Sequence, residues 1–456
     1  MANARQLHLN LNFLNAGTFA SAWRWHASTP ADFADVQYYV RAARLAERGT
    51  FDSVFLADFP ALSDRPEHRP FQSLEPTITL ATIAAATRHI GLIATASSTY
   101  NEPYNIARRF ASLDHASGGR AGLNIVTTAD QVAGRNFGLP KPPPHHIRYE
   151  RAAEFADVVK SLWDSWEDDA FVGDKASSRF VDTRKVHPIH HRGTHFSVEG
   201  ALNVPRPPQG RPIVVQAGGS DDGRDLAAQH ADAVFSVAHS LGDAIDYARD
   251  LRARAVRYGR SPDDILIFPG LVTVIGSTEA EARRREQELW DLVPIEYGLG
   301  RLAGILQVDP QSLKLDEPLP AGLQVPVDGM QTFFKGALTL AARGGGLTVR
   351  ELIRAQGGGT GHRIVVGTPE QIAEGIEEWF RSGAVAGFNV MPDVIETGLD
   401  AFVEQVVPLL RRRGIFRHDY EGTTLRDHFG LSRPARGWRQ KPPAPSARAL
   451  DAIPGG

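Results

Sequence analysis

With 50 Lys+Arg against 53 Asp+Glu, the 456-residue chain is nearly neutral at −3, so no bulk field favours a nucleic acid partner. It has no cysteine, which excludes disulfides, thiolate metal sites and a cysteine nucleophile, and accords with a cytoplasmic protein. The opening MANARQLHLNLNF carries no long apolar run, and no stretch approaches about 18 apolar residues, so neither a secretory leader nor a membrane contact is expected.

Short apolar, β-branched runs recur, each followed by a stretch with helical spacing. Leu7 to Phe13 predicts a first strand, and Val36 to Arg48 a helix with Tyr39, Ala43 and Ala46 on one stripe. Asp52 to Ala57 is a second strand, followed by a helix over Thr77 to Thr87. Ile90 to Ala96 and Ala121 to Thr127 are the third and fourth, trailed by helices over Tyr104 to His115 and Tyr149 to Trp163. Ile213 to Ala217, Ala233 to Val237 and Ile265 to Ile275 are the fifth to seventh, and Phe388 to Met391 the eighth. Helices near 223–231, 242–258, 278–291 and 369–382 fall between or before them.

Strands without polar alternation, separated by helices, are what a buried parallel sheet requires. Eight of them predict an α/β fold, a (β/α)8 TIM barrel. An open doubly wound sheet is the alternative, but its usual G-x-G-x-x-G turn after the first strand is absent. Three segments exceed ordinary barrel connections: 128–147, 167–212 with a small hairpin, and 292–362 with helices at 329–343 and 348–355 and Gly-rich joints at 344–346 and 357–361. Residues 1–432 are therefore expected to form one barrel domain with insertions, and 433–456 a Pro-, Arg- and Ala-rich extension.

Residues just after barrel strands gather on one face, where barrel active sites lie. They include Asp58, Thr95, Ser97, Asn124, Thr127 and Gly218-Gly219-Ser220. This polar, small set suits a phosphate-bearing cofactor better than a hydrocarbon. In QAGGSDDG, the glycines allow close backbone approach and Ser220 starts a helix whose free N–H groups can hold a phosphate. Ser220 can equally be a plain N-cap. In HHIRYE, His145 and Tyr149 stand four apart and can share a pocket or lie on the surface. The run VHPIHHRGTH resembles a metal site, but Pro188 and Gly193 break the helix that would align its histidines, so no metal is expected.

Together these segments resemble the nitrilotriacetate and dibenzothiophene sulfone monooxygenase branch of the bacterial-luciferase-like FMN-dependent monooxygenases. The similar stretches include ERGTFDSVFLAD at 47–58, the run from Leu74 to Thr128, GRNFG at 134–138, HHIRYERAAEF at 145–155 and the run from Gly193 to Ala228. GTPEQIAEGIEEWFRSGAVAGFNVMP at 367–392 and the run from Val406 to Leu431 complete them. The resemblance implies a luciferase-like barrel and flavin contacts at Asp58, Thr95, His145, Tyr149 and Ser220, with Gly219 beside the phosphate. Asn124 matches a strand-four pocket position, and His145 a histidine proposed to act in catalysis.

The implied reaction is two-component. A separate NAD(P)H:flavin reductase supplies FMNH2, and the oxygenase, a homo-oligomer (dimer or tetramer), uses O2 to insert one oxygen atom into a small organic substrate through a C4a-(hydro)peroxyflavin. The alternatives are an F420-dependent oxidoreductase on the same barrel, a non-catalytic flavin-binding protein and a metal-dependent barrel hydrolase. His146 and Leu123 depart from the acidic and aromatic residues common in the family. The 292–362 segment matches no member closely enough to transfer a substrate.

Overall fold

The computed structural model describes residues 5–62, 66–325, 331–342, 346–356 and 361–435. Nine parallel strands form its main sheet: β1 (His8–Phe13), β2 (Ser53–Leu56), β3 (Gly91–Ser97), β4 (Ala121–Val126), β5 (Ile213–Gln216), β6 (Ala233–Ser236), β7 (Leu266–Ile275), β8 (Arg363–Gly367) and β9 (Gly387–Pro392). Eight close a barrel in the order β6-β5-β4-β3-β2-β1-β9-β7, with β7 returning to β6. The expected (β/α)8 barrel is the fold.

The ninth strand, β8, was not anticipated. The ten-residue β7 outreaches its neighbour: β6 pairs with it as far as Pro269, and β8 takes over from Leu271. The wall therefore has a seam at Gly270. The strands are buried along their whole length because both faces are covered, even where polar residues alternate with apolar ones, as in HLNLNF of β1. Phe55, Ile93, Ile213, Val215 and Phe268 fill the barrel interior, while the opposite strand faces pack on the surrounding helices.

Helix starts follow local chemistry. Asp35 caps Val36–Arg48, and Glu75 with Pro76 at the first helical position opens Pro76–Ala86. Thr368 and Gln371 form a capping box for Pro369–Arg381. Of the long insertions, 128–147 contains the short helix Gln131–Asn136, and 167–212 holds two antiparallel ladders. The third carries the helices Ile295–Leu306, Gln331–Ala341 and Val349–Ala355. Most of its predicted Gly-rich joints, and the extension beyond 435, lie outside the described residues.

The C-terminal segment crosses beneath the barrel. Leu425 and Phe429 close its interior from below, and Arg417 reaches the carboxylate of Asp52 at 2.5 Å. That carboxylate also meets His8 at 2.9 Å and accepts the N–H of Leu9 at 2.8 Å. Burial alone would raise the pKa of Asp52, but Arg417 and His8 bring it down to about 2.

Candidate active site

β5 ends at Gln216 and turns through Ala217-Gly218-Gly219 into Ser220, which caps the helix Asp221–His230. Ser220 Oγ accepts from the Gly223 N–H at 3.2 Å. The turn folds tightly: a Cβ on Gly218 would sit 2.8 Å from Gly223 Cα and 2.4 Å from Gln216 Nε2, so only glycine fits. Two side chains brace it. Tyr247 Oη donates to the Gly218 carbonyl at 3.3 Å, and Arg224 Nε to that of Gly219 at 3.1 Å. The Arg224 guanidinium lies 4.8 Å above the Tyr247 ring and pairs with Asp250 at 2.8 Å.

Two carboxylates in the first turn of this helix would repel an anion if left bare. Neither is. Asp221 pairs with Arg254 at 2.7 Å, and Asp222 Oδ2 lies 2.9 Å from His145 Nδ1. His145 begins the helix His145–Trp163, and one turn later Tyr149 places its ring 4.7 Å from the imidazole. Buried Arg148 holds the approach in place by donating to the carbonyls of Pro143 at 3.0 Å and Thr127 at 2.7 Å.

These parts face one cavity of about 300 Å³. Thr127, His145, Tyr149, Gly219, Ser220 and Arg224 line one part of it; Phe235, Ser236, Phe333 and His362 line another. Six of the sequence-derived candidates (Thr127, His145, Tyr149, Gly218, Gly219 and Ser220) thus come together.

Thr95, Asn124 and Asp58 do not line that cavity. Thr95 stands opposite Asn124 in the β3–β4 register, two residues beyond Ile93 and so on the interior side. Asn124 Nδ2 donates to Thr95 Oγ1 at 2.9 Å, while its Oδ1 is buried without a partner among the described residues. Asp58, half-buried past the end of β2, has its pKa raised by burial and by nearby Glu75. The histidines of the 187–195 run are splayed apart, each beside its own carboxylate: His187 with Glu167, His190 with Glu199, His191 with Glu154 and His195 with Glu150. Among the described residues no cluster suited to a metal ion is found.

Sequence reasoning passed over Arg224, Tyr247, Phe235 and His362. Only Arg224 left a usable signal, one helical turn after Ser220. The others arrive from distant segments.

Residues 15–386 match the model of the Luciferase-like monooxygenase family. The chain belongs to that family. It is 42% identical to N-acetyl-S-(2-succino)cysteine monooxygenase of Bacillus subtilis (strain 168), over 94% of this chain and 98% of that one. It is also 42% identical to nitrilotriacetate monooxygenase component A of Aminobacter aminovorans, over 95% and 98%. Among solved structures, the EDTA monooxygenase of Chelativorans sp. BNC1 superposes with a TM-score of 0.80 at 35% identity, covering 94% of this chain and 99% of that one. The similarity of this luciferase-like monooxygenase to these relatives therefore extends over most of both chains. Among its described residues no helix is long and apolar enough to cross a membrane.

Proposed function

We propose that this luciferase-like monooxygenase takes FMNH2 from a separate NAD(P)H:flavin reductase and uses O2 to place one oxygen atom in a small organic substrate. The observation that carries the reading is the Ser220 turn, opening into the same cavity as His145 and Tyr149.

The residues present fit FMN. Ser220 Oγ and the free N–H groups of the following helix would hold the phosphate, where the helix dipole favours an anion. The tight approach at Gly218 and the braces from Tyr247 and Arg224 keep those donors aimed without rearrangement. The unpartnered Oδ1 of Asn124 is an acceptor waiting for an N–H of a flat ring, with Thr95 fixing its amide. Asp58, past the end of β2, is the further residue that would contact the flavin. Bound reduced flavin supplies the electrons that activate O2. His145, oriented by Asp222, is the group placed to hold or move a proton there. Burial of the interior excludes water that would otherwise divert the reaction.

Relatives named for N-acetyl-S-(2-succino)cysteine and for nitrilotriacetate support a small organic substrate. We infer a single barrel domain over 1–432, a homo-oligomer and a cytoplasmic location. The test is a coupled assay with a generic flavin reductase, FMN, NADH and labelled O2 against aminopolycarboxylates, sulfones, thioethers and alkanes. One labelled oxygen atom in one product class is the expected result. Failure to bind FMNH2, with peroxide as the sole product across the panel, would sink the reading.

A further inference from the structure

His362 immediately precedes β8 and fills the seam where β8 replaces β6 beside β7. Its imidazole stacks nearly parallel on Phe235 at the end of β6, with centroids 5.0 Å apart and an 11° tilt. Phe235 in turn meets Phe55 inside the barrel edge-on at 5.4 Å. Phe333, from the helix Gln331–Ala341, closes on the imidazole edge-on at 6.4 Å.

The seat on β7 is shaped for this ring. Gly270 lies between the last β7 residue paired with β6 and the first paired with β8. A Cβ there would fall 2.3 Å from His362 Nδ1 and 2.7 Å from its Cγ. A strand interior seldom takes glycine without a close approach of this kind. The ring is buried, yet it borders the cavity that contains Ser220 and His145.

Two facts set its chemistry. Burial, aided by His239 nearby, lowers its pKa to about 3, so the imidazole is neutral at neutral pH. Nδ1 is buried with no hydrogen-bond partner among the described residues. A bare lone pair is tolerated in a protein interior far better than a bare N–H, so the proton resides on Nε2. The ring is then an uncharged, sterically locked N–H donor in an aromatic enclosure that includes Tyr149, Phe235, Tyr247 and Phe333. Such a surround suits a flat aromatic group with acceptor atoms on its rim.

We propose that His362 is a flavin-binding residue: seated in the barrel seam on Gly270, it donates its Nε2–H to an acceptor atom of the bound isoalloxazine. The 292–362 insertion thereby supplies part of the cofactor site. The inference rests on the flavin reading of this cavity.

Anaerobic titration of FMNH2 into wild type and the variants His362→Phe, His362→Gln, Gly270→Ala and Ser220→Ala tests it, with thermal unfolding read on each. Loss of one hydrogen bond in His362→Phe should weaken binding about five- to ten-fold. Gly270→Ala, which unseats the ring, should do likewise, and His362→Gln, which keeps an N–H donor, should recover most of the affinity. Wild-type affinity in folded His362→Phe, or in Gly270→Ala should the first variant not fold, overturns the proposal while Ser220→Ala still weakens binding. Were Ser220→Ala also without effect, the flavin reading of the cavity itself would fall.

Discussion

The two ends of the barrel use polar residues in opposite ways. At the lower end, Asp52, His8 and Arg417 form a closed set, and Arg426 pairs with Asp232 at 3.1 Å beside it. Buried charge there is spent on charge. At the upper rim, His145, Tyr149, Ser220 and Arg224 line open space, and Asn124 and His362 keep buried polar atoms unpartnered among the described residues. The lower end is built to stay shut, whereas the rim leaves bonding capacity for something that arrives. Unsatisfied buried groups are costly and occur at both ends, Arg417 and His428 below among them, so the mark of a binding site at the rim is the cavity that its polar side chains border.

If this contrast is real, substitutions at the two ends should separate stability from binding. The largest effect is expected from Arg417→Met, which strands the Asp52 carboxylate: a loss of about 3–5 kcal/mol in urea unfolding, with flavin affinity unchanged in the folded fraction. Next, His145→Ala should lower kcat by about 100-fold in the coupled assay while FMNH2 affinity moves little, because proton transfer contributes on that scale. Equal small effects on both would return His145 to a surface role. Ser220→Ala should weaken FMN about ten-fold in a fluorescence titration but leave riboflavin, which has no phosphate, unaffected.

The smallest effect sharpens the comparison through pH. His428 lies under the barrel beside Tyr420, facing Asp52, Arg417, His89 and Asp427. Burial chiefly, with Arg417 and His89, lowers its pKa to about 4. Below about 6.5 the unfolded chain takes up a proton at this histidine that the folded chain refuses. Its contribution to stability is therefore complete above that pH and is lost as the pH falls toward 4. His428→Phe should flatten this part of the stability curve, with the Asp52 contribution disappearing lower still, between about 4 and 2. A mutant curve parallel to wild type would show that His428 titrates normally.

The barrel was legible because most of its strands are short apolar runs and the helices between them carry their own caps. RIVVG carries the same β-branched run as IVVQ of β5, and β8 was missed because eight strands already close a barrel and a ninth falls outside that count. In the site, the Ser220 turn and the His145–Tyr149 pair were readable because each lies within one turn of backbone. That Asn124 would bond Thr95 follows from strand register, which the individual segments do not display. Tyr247 gave no local sign of reaching the Gly218 carbonyl.

By itself the amino-acid order determined the periodicities, the helix starts, the glycine turn before Ser220 and the absence of cysteine chemistry. These are properties of neighbours along the chain, settled by sterics and hydrogen bonds of short reach. Only tertiary structure decided that a histidine at the end of an insertion meets a glycine in β7 and a phenylalanine in β6. That meeting depends on strands of unequal length closing a cylinder, a condition on the whole sheet that no single segment carries.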